Sequence, residues 1–201
     1  MSQSRKSTQR GYTVVEVLAT MTLFAIGAAG VISMQKVTIQ GGDDARHFDI
    51  ATNIANQWAA RLQRDSLFWT LPDSVNTAGD NFGSTLYLQD MPVDWQAPKI
   101  PTSVPPGATP TWGSSAYNLL GREVSPTGTE AIFCVQFREQ WIIPRPAIGA
   151  FIRAEIRVVW GRLETPNIGT CSNLTNATLT SDKDKYHFVY VTTAVRENPA
   201  R

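Results

Sequence analysis

RGYTVVEVLATMTLFAIGAAGVISMQ, residues Arg10–Gln35, decides how the rest of the chain is organised. From Tyr12 to Met34 nearly every residue is apolar or small, and Glu16 carries the only charge. That stretch is 23 residues long, and about 20 suffice to cross a bilayer as a helix. A carboxylate near the centre of such a helix costs about 2.5–3.5 kcal/mol, and less towards its end. Glu16 therefore needs a reason.

Upstream, MSQSRKSTQR holds Arg5, Lys6 and Arg10 and no acid. Positive charge ahead of an apolar helix keeps that end in the cytoplasm and sends the remainder outward. An ordinary secretory signal has a shorter apolar core followed by a small-residue cleavage site. AIGAAG, residues 25–30, matches such a site loosely, but a signal core is selected for hydrophobicity alone, and Glu16 argues against it. Two readings remain: a plain uncleaved anchor, with Glu16 snorkelling to the interface, or a helix that uses the charge.

Gly11 followed by Tyr12-Thr13-Val14-Val15-Glu16-Val17-Leu18 resembles the class III signal of type IV prepilins and pseudopilins. The resemblance implies that prepilin peptidase, at the inner membrane, cuts between Gly11 and Tyr12 and methylates the new amine of Tyr12. Tyr12 stands where the family usually has phenylalanine or methionine. Glu16 becomes the fifth residue of the mature chain, which in that family meets the N-terminal amine of a neighbouring subunit in the filament. An acid paired in low dielectric loses far less than a lone one, provided that its partner is positioned. Losing Arg5, Lys6 and Arg10 takes the basic count from 18 to 15 against 17 acids, moving the side-chain net charge from +1 to −2. The small-residue run and Met-Gln ending of AIGAAGVISMQ are most similar to PilV-type minor pilins.

The expected fold is α+β, the type IV pilin fold: a long N-terminal helix packed on a small antiparallel β-sheet. Residues 1–11 are the cleaved leader, and 12–34 the transmembrane and filament-core helix. Residues 35–70 continue the stem as an amphipathic helix, with Phe48, Ala51, Ile54 or Ala55, Trp58 and Leu62 as its apolar stripe. Gly41-Gly42-Asp43-Asp44 either bends this helix or ends it, with an aspartate capping a fresh start.

Residues 71–130 are a variable region rich in Pro and Gly, in which PVDWQAPKIPTSVPPGATPTWGSS favours extended and turn conformations. Trp95 and Trp112 there either bind a partner or pack the loop down. Residues 131–201 form the sheet. In AFIRAEIRVVW, Ile152, Ala154, Ile156, Val158 and Trp160 lie on one face and Arg153, Glu155 and Arg157 on the other. AIFCVQFRE and YHFVYVTTAV supply two more strands.

Cys134 and Cys171 are too few for a zinc site and too far apart for a redox CxxC pair. They are two buried thiols or, in an oxidising compartment, a disulfide tying the polar loop around Cys171 to the first of these strands; outward export favours the bond. The sequons at Asn173 and Asn176 are chance matches. A net charge of +1 without a basic patch gives nucleic-acid binding no support. His47 and His187 have no metal-ligand spacing, and no nucleophile motif or phosphate loop is present. No metal, cofactor or catalytic residue is expected. The functional expectation is a minor pilin of a type IV pilus that primes or caps the filament. Its partners would be prepilin peptidase, other minor pilins, the major pilin and a tip adhesin. It would sit in the bacterial inner membrane, with its domain in the periplasm, before joining the pilus. The rivals are a minor pseudopilin of a type II secretion system and an uncleaved, membrane-anchored binding module.

Overall fold

The structure, a computed structural model, describes residues 11–69, 82–90, 93–98, 113–144, 149–162, 168, 170–171 and 174–197. Arg5, Lys6, Arg10, Trp112, Asn173 and most of the proline cluster lie outside the described residues. The chain falls into two units, divided between Arg46 and His47.

Helix α1 runs from Val14 to Trp69. It passes through Gly41-Gly42-Asp43-Asp44 without ending, so neither aspartate caps a fresh start. A glycine costs a helix about 1 kcal/mol relative to alanine, too little for two of them to stop a helix this long.

In the second unit the sheet has five antiparallel strands in the order β2-β1-β3-β4-β5. They are β1 (Ala116–Tyr117), β2 (Glu123–Val124), β3 (Phe133–Ile143), β4 (Phe151–Gly161) and β5 (Tyr186–Arg196). The fold is thus α+β, a long N-terminal helix with an antiparallel sheet, consistent with the type IV pilin fold. The three long strands are those expected from sequence, β4 by its alternation and β3 and β5 by their β-branched and aromatic residues. β1 and β2 are additional, and fall within the stretch read from sequence as variable loop.

One face of the sheet carries Phe133, Val135, Phe137 and Trp141 of β3 opposite Trp160, Val158, Ile156 and Ile152 of β4. The helix residues Ala51, Ile54, Ala55, Trp58, Leu62 and Trp69 join them in the core. Trp58 stacks on Phe137 at 6.3 Å and meets Tyr87 edge-on at 5.1 Å. Trp69, Phe82 and Trp141 form a second aromatic cluster, with centroids 4.9–5.5 Å apart. Phe48, assigned to the apolar stripe from sequence, is instead 54 % exposed.

The other face is not simply polar. Arg157, read from sequence onto the face opposite Ile156 and Val158, is buried: its Nε donates to Gln136 Oε1 at 2.8 Å and its guanidinium lies 4.4 Å from the Trp95 ring. Arg138 lies 4.8 Å from the same ring. Helix α2 (Asn176–Ser181), capped by the Thr175 side chain, brings a buried Leu179 to this unit.

Candidate processing and assembly site

Gly11, Tyr12 and Thr13 precede the first helical residue, Val14. Tyr12 is 84 % exposed, and nothing stands within 4 Å of a Cβ built on Gly11. The Gly11–Tyr12 peptide bond thus lies in non-helical, accessible chain, which suits a protease that must draw an extended backbone through its site.

Thr13 caps the helix. Its Oγ1 and carbonyl both accept the Glu16 N–H, at 3.3 and 3.0 Å, and its carbonyl also accepts from Val17. Thr13-Val14-Val15-Glu16 has the T-x-x-E spacing of a capping box. A carboxylate in the first turn also meets the positive end of the helix dipole, an effect of about 0.3–1 kcal/mol at an exposed site. The motif is in plain view in the sequence, but reading Glu16 only as a charge in lipid passes over it. Among the described residues Glu16 forms no ion pair.

Beyond the cap, α1 is long and apolar enough to cross a membrane, with an 18-residue window of mean hydropathy 2.0 and none of it buried within the chain. Phe24 is 78 % exposed. The hydroxyls along this stretch bond back to the helix: Thr20 to Val17 O at 2.8 Å, Thr22 to Ala19 O at 2.9 Å and Thr38 to Met34 O at 3.0 Å. Each polar side chain so satisfied can enter hydrocarbon without an orphan donor.

In the second unit Cys134 of β3 and Cys171 form a disulfide, with Cα atoms 5.4 Å apart. Gln136, two residues along β3, donates from Nε2 to Leu174 O at 2.5 Å. The loop is thus held to one strand covalently and by a buried hydrogen bond.

Two further anchors escaped the sequence reading. Asp65, buried near the end of α1, accepts the Leu86 N–H on one oxygen and the Tyr87 and Leu88 N–H groups on the other, at 2.7–3.1 Å. An acid in the last turn opposes the helix dipole, and on an otherwise apolar face this was the available sign that donors must meet it. Arg61 pairs with Glu123 of β2 and donates to Tyr117 Oη at 3.2 Å. Burial pushes the Tyr117 and Tyr87 phenols up from their ordinary value, more than the Arg61 charge lowers them. Burial lowers Arg61, but Tyr117 and Glu123 outweigh it and leave the guanidinium raised. His47 packs edge-on against Phe133 and His187 stacks on Trp160. Among the described residues no three His, Cys, Asp or Glu side chains converge as metal ligands would.

No curated protein and no solved structure matches the chain. Residues 6–32 match the family described as the prokaryotic N-terminal methylation motif. The matched stretch contains the Gly11–Tyr12 bond, the Thr13 cap and Glu16. Over these residues the chain is like the type IV prepilins and pseudopilins, whose motif implies processing by prepilin peptidase and membrane anchoring.

Proposed function

We propose that the protein is a minor pilin of a type IV pilus, of the PilV type, made as a prepilin. Prepilin peptidase removes residues 1–11 and methylates Tyr12. Residues 12–34 then anchor the chain in the inner membrane, with the unit from His47 onward in the periplasm. Its work is assembly: with other minor pilins it primes the filament or caps its tip, against the major pilin and beneath a tip adhesin. The observation that carries this reading is the methylation motif over residues 6–32, set on a helix long and apolar enough to cross a membrane. The disulfide supports export to an oxidising compartment.

Glu16 is the register device of this reading. Cleavage manufactures an ammonium at Tyr12, and the carboxylate, without an ion pair among the described residues, receives that ammonium from the next subunit. Pairing removes most of the cost of the buried charge and penalises misaligned docking.

Mass spectrometry of the chain from native membranes tests the first step. The expected species begins at Tyr12 and carries one methyl group; a chain that retains residues 1–11 beside an active peptidase overturns the reading. Glu16→Ala should leave cleavage intact and reduce entry into filaments; wild-type incorporation would remove Glu16 from its assigned role. Gene deletion separates the two machines. Loss of piliation and surface motility supports the pilus, whereas loss of exoprotein secretion supports a minor pseudopilin of a type II secretion system.

A further inference from the structure

The two edges of the sheet are unequal. One edge strand, β2, has two residues; the other, β5, has eleven and pairs with β4 without a register shift. Natural edges are guarded by shortness, bulges, proline or charges that block a further strand. From Tyr186 to Val195 strand β5 has no proline, no lysine and no acid, and its only full charge is the terminal Arg196.

The ladder fixes which of its groups are free. Arg162 N donates to Lys185 O at 2.9 Å and Glu197 N to Ala150 O at 3.0 Å, one at each end of the β4–β5 pairing. Antiparallel pairs alternate between bonded and non-bonded, so the odd-numbered residues of β5 bond to β4. The N–H and C=O groups of Phe188, Tyr190, Thr192 and Ala194 point the other way. Among the described residues no backbone hydrogen bond reaches them. Tyr190 is 59 % exposed.

We propose that β5 is a self-complementary edge that takes β5 of a second copy of this chain, antiparallel, about Val191. That register sets Tyr190 against Thr192 and Phe188 against Ala194 of the second copy, all with outward backbone groups, for about eight hydrogen bonds by symmetry. Val191 faces its own copy in a non-bonded pair, with Cα atoms about 4.5 Å apart. Charge agrees: Lys185 falls opposite Glu197 twice by symmetry, and no like charges meet. Lys185 also pairs with Asp182, and Glu197 also accepts from the Gly149 and Ala150 N–H groups, so the new contact adds to these. The interface is independent of N-terminal processing.

The test uses the full-length chain in native membranes and in detergent. Both native cysteines are bonded, so Val191→Cys introduces the only free thiol. Under a mild oxidant it should give a disulfide-linked dimer, whereas Leu120→Cys, on an exposed turn away from β5, should not. Thr192→Pro deletes an outward N–H and no bond to β4. It should weaken detergent-solubilised dimers roughly tenfold or more with an unchanged near-ultraviolet spectrum, and should abolish the Val191→Cys cross-link. A monomeric chain, cross-linking at Leu120 equal to that at Val191, or dimers indifferent to Thr192→Pro, as helix-driven association would give, each overturns the proposal. Should Thr192→Pro misfold, the comparison of Val191→Cys with Leu120→Cys decides alone.

Discussion

Three backbone N–H groups converge on the two oxygens of Asp65, and each is a charge-assisted bond in a buried place. Asp65→Ala leaves those donors with nothing to meet, so it should destabilise the second unit by about 2–4 kcal/mol. Asp65→Asn, which keeps one acceptor oxygen, should cost less. Denaturant midpoints at constant slope would measure both, and a loss under about 0.5 kcal/mol for the alanine variant would contradict the clamp. The buried phenols give a second prediction, in pH. Because burial raises Tyr87 and Tyr117 above their ordinary value of 10.0, the folded chain keeps protons that the unfolded chain releases near that pH. Their contribution is full below about pH 10 and is lost as pH rises through the folded values. Thermal midpoints should therefore fall above about pH 10. Ultraviolet difference titration should show both phenols ionising above the ordinary tyrosine value.

Cys134 closes a loop of 37 residues onto the central strand β3, and chain-entropy arithmetic gives such a bond about 4 kcal/mol. Cys134→Ser with Cys171→Ser should lower stability by about 2–4 kcal/mol, read as a shifted denaturant midpoint, and free Leu174 and α2 first. Proteolysis starting elsewhere would count against this order. How visible each element was in the sequence follows from what holds it. β4 repeats apolar residues at every second position, and β3 and β5 are long runs rich in β-branched and aromatic residues, signals that survive without tertiary context. β1 and β2 have two residues each and exist because β3 offers Cys134 and Phe133 as pairing partners; no local pattern could announce them. The helix was legible in extent and, from Ala51 onward, in phase: Ala51, Ile54, Ala55, Trp58 and Leu62 of the expected stripe are all buried. Its buried seam steps 51, 54, 58, 62, 65, 69, and one more step of four back reaches His47, which packs on Phe133, not Phe48. Hydrophobicity alone favoured the phenylalanine. Arg157 was read onto the face opposite Ile156 and Val158, but alternation tells which face a residue is on and not that Trp95 covers it. Gly11, Tyr12 and Glu16 of the proposed processing site stand out because they lie in one short motif of local chain, whereas the clamp at Asp65 joins residues more than twenty positions apart.

Burial divides the chain as sharply as its sequence does. Among the described residues every buried hydrophobic one lies at Ala51 or later, while Val14, Phe24, Ile32 and Ile39 of α1 stay exposed. A monomer in water does not keep so long an apolar surface uncovered, so lipid or other apolar helices must cover the first unit, and the second must hold itself together. The division between Arg46 and His47 makes that separable. A chain beginning at His47 retains Trp58, Trp69, the Asp65 clamp, the five strands and the disulfide, losing none of the buried core. Exported to an oxidising compartment, it should be water-soluble and fold cooperatively, with the near-ultraviolet signature of its clustered tryptophans. The full-length chain should remain in the membrane after an alkaline wash and need detergent for release. A fragment that precipitates or unfolds without cooperativity would mean that residues before His47 contribute to the second unit's core. A full-length chain released by the wash would mean that the apolar helix finds its cover in protein and not in lipid. The two measurements fail independently, because one asks what the globular unit needs and the other what the helix does.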